Sequence, residues 1–285
     1  MIQEADWSII EAESVQNRTV LVSSKSLQPL KILNPESHST CCHVVLSNYG
    51  GGMVAGDAIK LKLSCGANTH FVMTTQANSR IFKSLNGAVA TQEIDGSLEE
   101  KGVAVVFSDP VVLQEKSRYR QYQRWHIAPD ALLFVVDWLS SGRADVGEQY
   151  KFSSYLSEME VRQGEKLVLL DRFAFSPEEH IAGAPANFGR YQTVLSAYLV
   201  GSTADMRFEQ LSAGLNRLKE KEQPGLGADL AQKDYLLSFT KAREGVYVLR
   251  AGAKSRTAMQ PVIEAMMNLL AAESILGYNP FSRKF

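Results

Sequence analysis

Apolar residues recur at every second position through most of this chain, and that spacing limits what it can fold into. A period of two sets alternate side chains on opposite faces of an extended strand, whereas a helix needs a period near 3.6. After Asp57 the chain reads AIKLKLSC: Ile59, Leu61, Leu63 and Cys65 share one face, and Ala58, Lys60, Lys62 and Ser64 the other. The same reading predicts strands at 19–24, 29–33, 42–47, 69–75, 103–108, 118–127, 131–139, 150–161, 166–175 and 191–200. The turn GAN at 66–68 predicts a hairpin joining 59–64 to 69–75. RQGE predicts another between 150–161 and 166–175, and 234–253 reads as one more.

Two late stretches change to helical spacing. Residues 205–222 place Met206, Leu211, Leu215 and Leu218 on one face and stop at QPGLG. Residues 257–276 place Met259, Val262, Ile263, Met266, Met267, Leu269 and Leu270 together before Gly277, the pattern of a helix packed on a core. Strands and helices do not alternate, which argues against a doubly wound parallel sheet. With no repeat of fixed period and no linker, the expectation is one mainly β domain over residues 1–285, with two helices in its C-terminal third.

Thirty basic residues face 31 acidic ones, so a net charge of −1 gives no electrostatic case for nucleic acid or an anionic membrane. The longest apolar run, ALLFVV at 131–136, has the length of a buried strand and not of a membrane span. The start, MIQEADWSIIEAESV, is acidic and lacks the layout of a secretion signal. Cys41, Cys42 and Cys65 cannot all pair within the chain. Free thiols in the cytoplasm are the expected state.

SNYGGGMVAGD at 47–57 loosely fits a dinucleotide-binding loop. Such a loop must open a helix, and this one opens the strand 59–64, so its glycines belong to a turn. HSTCCH at 38–43 offers His38, Cys41, Cys42 and His43 as metal ligands. In a strand, Cys41 and His43 share a face and Cys42 points away, so at most three of the four converge; a closed zinc site is not expected, and a transient nickel or zinc contact stays open. There is no G-x-S-x-G, H-E-x-x-H or P-loop string. Asp57, Asp109, Asp137, Glu148 and Asp171 all fall at strand ends or turns, where capping carboxylates are common. Asp137 stands out because it interrupts an apolar strand, and a buried carboxylate needs a partner. Arg143, nearby in DWLSSGRADVGE, is the expected one.

Four stretches occur in one order and spacing: GGGMVAGD (50–57), TTQANSRIFKS (74–84), SRYRQ (117–121) and VDWLSSGRADVGE (136–148). Together they resemble the urease accessory proteins called UreD, or UreH. PLKIL (29–33) fits the N-terminal strand of that family, and the likeness runs from about residue 18 to about 175. The resemblance implies a mostly antiparallel β architecture, layered like a β-helix, with a small helical part. It implies a protein that is not an enzyme: it binds the urease apoprotein and recruits a UreF-type adaptor and a UreG-type GTPase. The complex delivers nickel(II) to a dinuclear site on a carbamylated lysine through an internal polar channel. Nickel would be held in transit, with no stably bound cofactor.

By the same motif matches, the resemblance implies that Asp57, Ser79, Asp137 and Asp171 are polar channel positions, with Glu148 beside them. Gly50, Gly51, Gly52, Gly56, Gly142 and Arg143 belong to the motifs, and Cys42 with His43 matches a Cys-His pair of some relatives. The chain departs from commoner relatives in three ways. Arg80 stands where Lys is usual, Asp171 where some carry Glu, and Cys41 doubles Cys42. The competing reading of the residues is a β-helical or sandwich hydrolase or lyase acting through Asp57, Asp137 or Asp171.

Overall fold

Stacked coils of strand make up most of the computed structural model, which describes residues 6–35, 39–180, 189–222 and 233–281. His38 and the QPGLG stop lie outside the described residues. At the N-terminus, β1 (Ser8–Val15) pairs with β2 (Arg18–Lys25), and β3 (Leu30–Leu33) with β4 (Cys42–Asn48), both antiparallel. The short β5 (Gly52–Met53) follows. One coil is then β6 (Ala58–Cys65), β7 (His70–Thr75) and β8 (Ser79–Ile81). The next is β9 (Ala90–Leu98), β10 (Val103–Phe107) and β11 (Val111–Leu113), and a third holds β12 (Arg118–Ile127) and β13 (Leu132–Ser140). The hairpin β14 (Ser154–Gln163) and β15 (Lys166–Phe175) comes next, then β16 (Thr193–Val200) and helix α1 (Met206–Glu222). The hairpin β17 (Tyr235–Arg243) and β18 (Val246–Ala253) leads into helix α2 (Arg256–Leu270).

Two sheets result. The first has the order β15-β14-β12-β9-β6-β1-β2, and the second β17-β18-β16-β13-β10-β7-β4-β3. The short strands β5, β8 and β11 form a side strip joined to β13. The layered, β-helix-like arrangement expected from the resemblance is present. Its antiparallel pairing is confined to the hairpins and the ends of the sheets. In the coils β6, β9, β12 and β14 pair in parallel, as do β4, β7, β10 and β13, because each coil crosses to the other sheet before returning in the same direction. For the same reason residues 59–75 are not a hairpin. β6 lies in the first sheet and β7 in the second, so the 66–68 turn is a corner between sheets. Corners stack on one another: the Asn68 N–H donates to Glu100 O and the Glu99 N–H to Cys65 O, at 2.9 and 3.0 Å.

Burial explains the two kinds of strand sequence. Strands of the first sheet alternate, as in β14, since one face meets the core and the other water. In the second sheet all five residues of β10 are buried, and so are the first five of β13. Its inner face, with Phe71, Val106, Leu133 and Val135, packs against Leu61, Ile94, Trp125 and Met159 of the first sheet. Its outer face, with Val105, Phe107, Phe134 and Val136, lies under Phe208 and Leu211 of α1 and Val262 and Met266 of α2. The expected core-packing role of α2 is therefore met, and Ser255 caps it by accepting the Ala258 N–H at 3.0 Å. The helix stops at Leu270, short of the expected 276, and Ile275 and Leu276 reach the core from the turns beyond.

Gly96 shows how tightly the coils meet. It pairs with Trp125, which is fully buried, and a Cβ at position 96 would stand 2.4 Å from the indole ring. Gly96→Ala is expected to lower stability by about 1–3 kcal/mol through overpacking, read as a shift of the urea midpoint at unchanged slope.

Candidate functional site

One carboxylate points into the apolar layer between the sheets. Along β13, Val135 and Leu139 face inward while Val136 and Trp138 face the helices, so alternation turns Asp137 inward. Its expected partner, Arg143, is elsewhere: Arg143 forms a bidentate pair with Glu148 across the 141–150 loop. Asp137 is held by neutral donors from the facing sheet instead. Gln121 Nε2 donates to Oδ1 at 2.6 Å, Ser157 Oγ to Oδ2 at 2.5 Å, and the Tyr155 hydroxyl to Oδ2 at 3.5 Å. Burial raises the Asp137 pKa above the ordinary aspartate value, the donors from Ser157 and Gln121 oppose that rise, and the charge of Asp171 adds to it.

Asp137 joins a line of cavities. A groove of about 700 Å³ opens between α2 and the 76–80 segment, with Phe107, Trp138, Ile263 and Met267 on its apolar wall. Gly51, Ala77, Asn78, Asp109 and Trp138 line both this groove and a chamber of about 90 Å³ behind it. Ser79, Gln121, Gln123 and Asp137 also line the chamber. Gln123 Oε1 and the Tyr119 hydroxyl, both on its wall, are buried with no hydrogen-bond partner in the protein. Such atoms mark places for water or an ion. Past Asp137 lies a space of about 10 Å³ lined by Tyr155, Ser157, Ser196 and Tyr198. At its far side Tyr198 Oη and Arg250 Nη2 both donate to Asp171 Oδ2, the arginine at 2.7 Å.

The chain matches the UreD urease accessory protein family over residues 6–284. It belongs to that family. It is 31% identical to the urease accessory protein UreD of Cytophaga hutchinsonii over 285 residues, covering 99% of each chain. The UreD of Sorangium cellulosum is 31% identical over 271 residues, 95% of this chain and 81% of its own. The urease accessory protein D of Arabidopsis thaliana is 24% identical over 292 residues, 96% of this chain and 98% of its own. No helix among the described residues is long and apolar enough to cross a membrane.

The positions expected from the UreD motifs divide into two groups. Ser79 and Asp137 line the cavities, and Asp171 stands behind the last of them, bonded to its wall residue Tyr198. Asp57 and Glu148 do not line it. Asp57 closes the turn 54–57, its Oδ2 accepting the Val54 N–H at 2.8 Å and its own N–H donating to Val54 O at 3.0 Å. Glu148 is bound to Arg143, whose hydrogen bonds hold its pKa below the ordinary glutamate value. Gly142, at φ 144°, lies against the Glu148 backbone, where a Cβ would meet Glu148 O at 2.7 Å. Gly50, Gly51 and Gly56 take positive φ. Gly52 lies on the Arg80 backbone, with 2.4 Å between a Cβ and Arg80 O, and so brings the glycine loop onto the groove rim.

Cys42 and His43 are not brought together. Cys42 faces the inter-sheet layer and Cys41 the helix side, where the His43 ring meets Tyr278 and its Nε2 lies 2.9 Å from Thr74 Oγ1. Burial pushes the Cys41 thiol up and the Cys42 thiol to about 11. No group of three His, Cys, Asp or Glu side chains able to hold a metal occurs among the described residues.

Sequence reading missed Gln121, Gln123, Tyr155, Ser157, Ser196 and Arg250. A signal existed in RYRQYQRW, where Gln121 and Gln123 share the inward phase of Tyr119 and Trp125. For a carboxyl whose pKa is raised by folding, the folded state holds the proton more tightly. Stability then falls as pH rises from the unfolded value through the folded one. In urea melts at a series of pH values, Asp137→Asn is expected to lack this fall and to gain on the wild type as pH rises above 4, close to the ordinary aspartate pKa.

Proposed function

We propose that this chain is a non-catalytic scaffold and nickel conduit in urease maturation, working in the cytoplasm. It binds the urease apoprotein and, through a UreF-type adaptor, a UreG-type GTPase. The observation that carries this reading is the line of polar cavities that crosses an otherwise apolar inter-sheet layer at Asp137. Membership of the UreD family supplies the maturation setting.

The chemistry favours passage over capture. Asp109 and Ser79 offer oxygens at the chamber, Asp137 a half-buried carboxylate at its end, and Asp171 a carboxylate beyond. Oxygen ligands suit nickel less well than imidazole or thiolate, and the cysteines lie outside this line with their thiols raised. A conducting path needs sites attractive enough to draw the ion in and weak enough to release it. Low dielectric between the sheets strengthens the pull of a single carboxylate on a divalent cation. The donors on Asp137 are neutral, so no fixed positive charge stands against an ion there. Asp57 and Glu148 serve structure in this scheme. A hydrolase or lyase working through Asp57, Asp137 or Asp171 would need two of them to act on one substrate. Asp57 caps a turn away from the cavities, and Asp171 is engaged by Arg250.

Asp137→Ala is expected to lower the nickel content of co-expressed urease while the complex still co-purifies. Asp57→Ala should cost stability and leave the nickel per folded complex near the wild-type value. Metal analysis of purified urease from both strains checks this, and full loading with Asp137→Ala would remove the conduit.

A further inference from the structure

Beyond the far end of the cavity line stands a cationic side chain, Arg250, bonded to Ser196 of the last cavity's wall. Asp137, Ser196 and Arg250 are cross-strand neighbours on β13, β16 and β18. Arg250 Nη1 donates to Ser196 Oγ at 2.5 Å and Nη2 to Asp171 Oδ2 at 2.7 Å. Its guanidinium also lies 5.8 Å from the Tyr198 ring. The oxygens around it, from Asp171, Ser196 and Tyr198, are those a hard divalent cation would use. The space between them and Asp137, about 10 Å³, is at the limit for one water and too small for a hydrated ion.

From this arrangement we infer that Arg250 is a tethered cation seated in a divalent-cation site formed by Asp171, Ser196 and Tyr198, and that an ion passes this end only when Arg250 swings out. The inference rests on the conduit reading above. Charge supports it. With Arg250 seated, two carboxylates, Asp137 and Asp171, face one fixed positive charge. With Arg250 withdrawn, their two negative charges match one divalent ion. Access supports it as well. The Arg250 side chain is 42% exposed and that of Asp171 22%, so the guanidinium reaches water without disturbing the apolar layer. Arginine suits this role better than lysine because it never loses its proton and grips two acceptors at once. The charge of the plug itself is therefore the same at any physiological pH.

Nickel(II) alone, titrated into the purified full-length chain by equilibrium dialysis, tests the inference. Arg250→Gln is expected to bind nickel at least tenfold more tightly than the wild type, and adding Asp171→Asn should return binding to the wild-type level. Arg250→Lys keeps the charge with a single donor group and should fall between, which provides a reading if Arg250→Gln does not fold. If Arg250 only clamps the sheets, Arg250→Gln will lower the urea midpoint and leave nickel binding unchanged, and the inference is overturned. Urease loading with Asp137→Ala separates the two failures. Unchanged loading there removes the conduit itself, whereas reduced loading beside unchanged nickel binding in Arg250→Gln removes the plug alone.

Discussion

The inward aim of Asp137 is the constraint on which the rest of the structure depends. A strand offers only two directions, and Val136 and Trp138 are already committed to the helix-covered face. Asp137 must then face the other sheet, among Val135, Leu139 and their neighbours. Slipping β13 by one residue against β10 or β16 would send the carboxylate under the helices and its apolar neighbours into the polar line. The double burial of the second sheet therefore fixes the chemistry as well as the fold. Long apolar strands on both sides hold the register that places one half-buried carboxyl group in the layer between the sheets.

The cost of that placement is met locally and without an opposing charge. Gln121 and Ser157 come from adjacent strands of the first sheet, in register with each other, and both reach the same carboxylate. Among the described residues, ionised partners appear only toward the ends of the line, Arg256 near Asp109 at 3.7 Å and Arg250 on Asp171. The result is a graded environment. Fixed cations stand at the two ends, and between them lies a carboxylate held by neutral donors.

Much of the fold was legible because period two is strongly expressed where one face of a strand meets water. β6 and β14 show it plainly, and the hairpins at 150–175 and 234–253 follow from it. The corner at 66–68 was misread because a turn with Gly66 and Asn68 looks alike whether the chain reverses within a sheet or crosses to another. Parallel pairing leaves no local mark either, since the partner strand lies a whole coil away. At the site, Asp137 was visible as a charge within an apolar run, and the motif likeness pointed to Ser79 and Asp171. Asp57 looked equivalent from its motif, and only the turn geometry separates it. Arg250 was invisible, since an exposed-looking arginine in a hairpin gives no hint of a carboxylate 79 positions earlier in the chain.

The reversal of strand direction at both margins of the coil has its own consequence. A stack of parallel coils with open margins would invite another copy to continue it, as fibrils do. Here β2 and β3 run against their neighbours on one side, and β15 and β17 do so on the other. A newcomer arriving in the coil's own direction meets an antiparallel partner at either margin, so the coil's parallel pairing ends there. The parallel stack is thus closed off by strands of the chain itself, and a further strand in the coil's direction would add as an antiparallel neighbour and not as another coil.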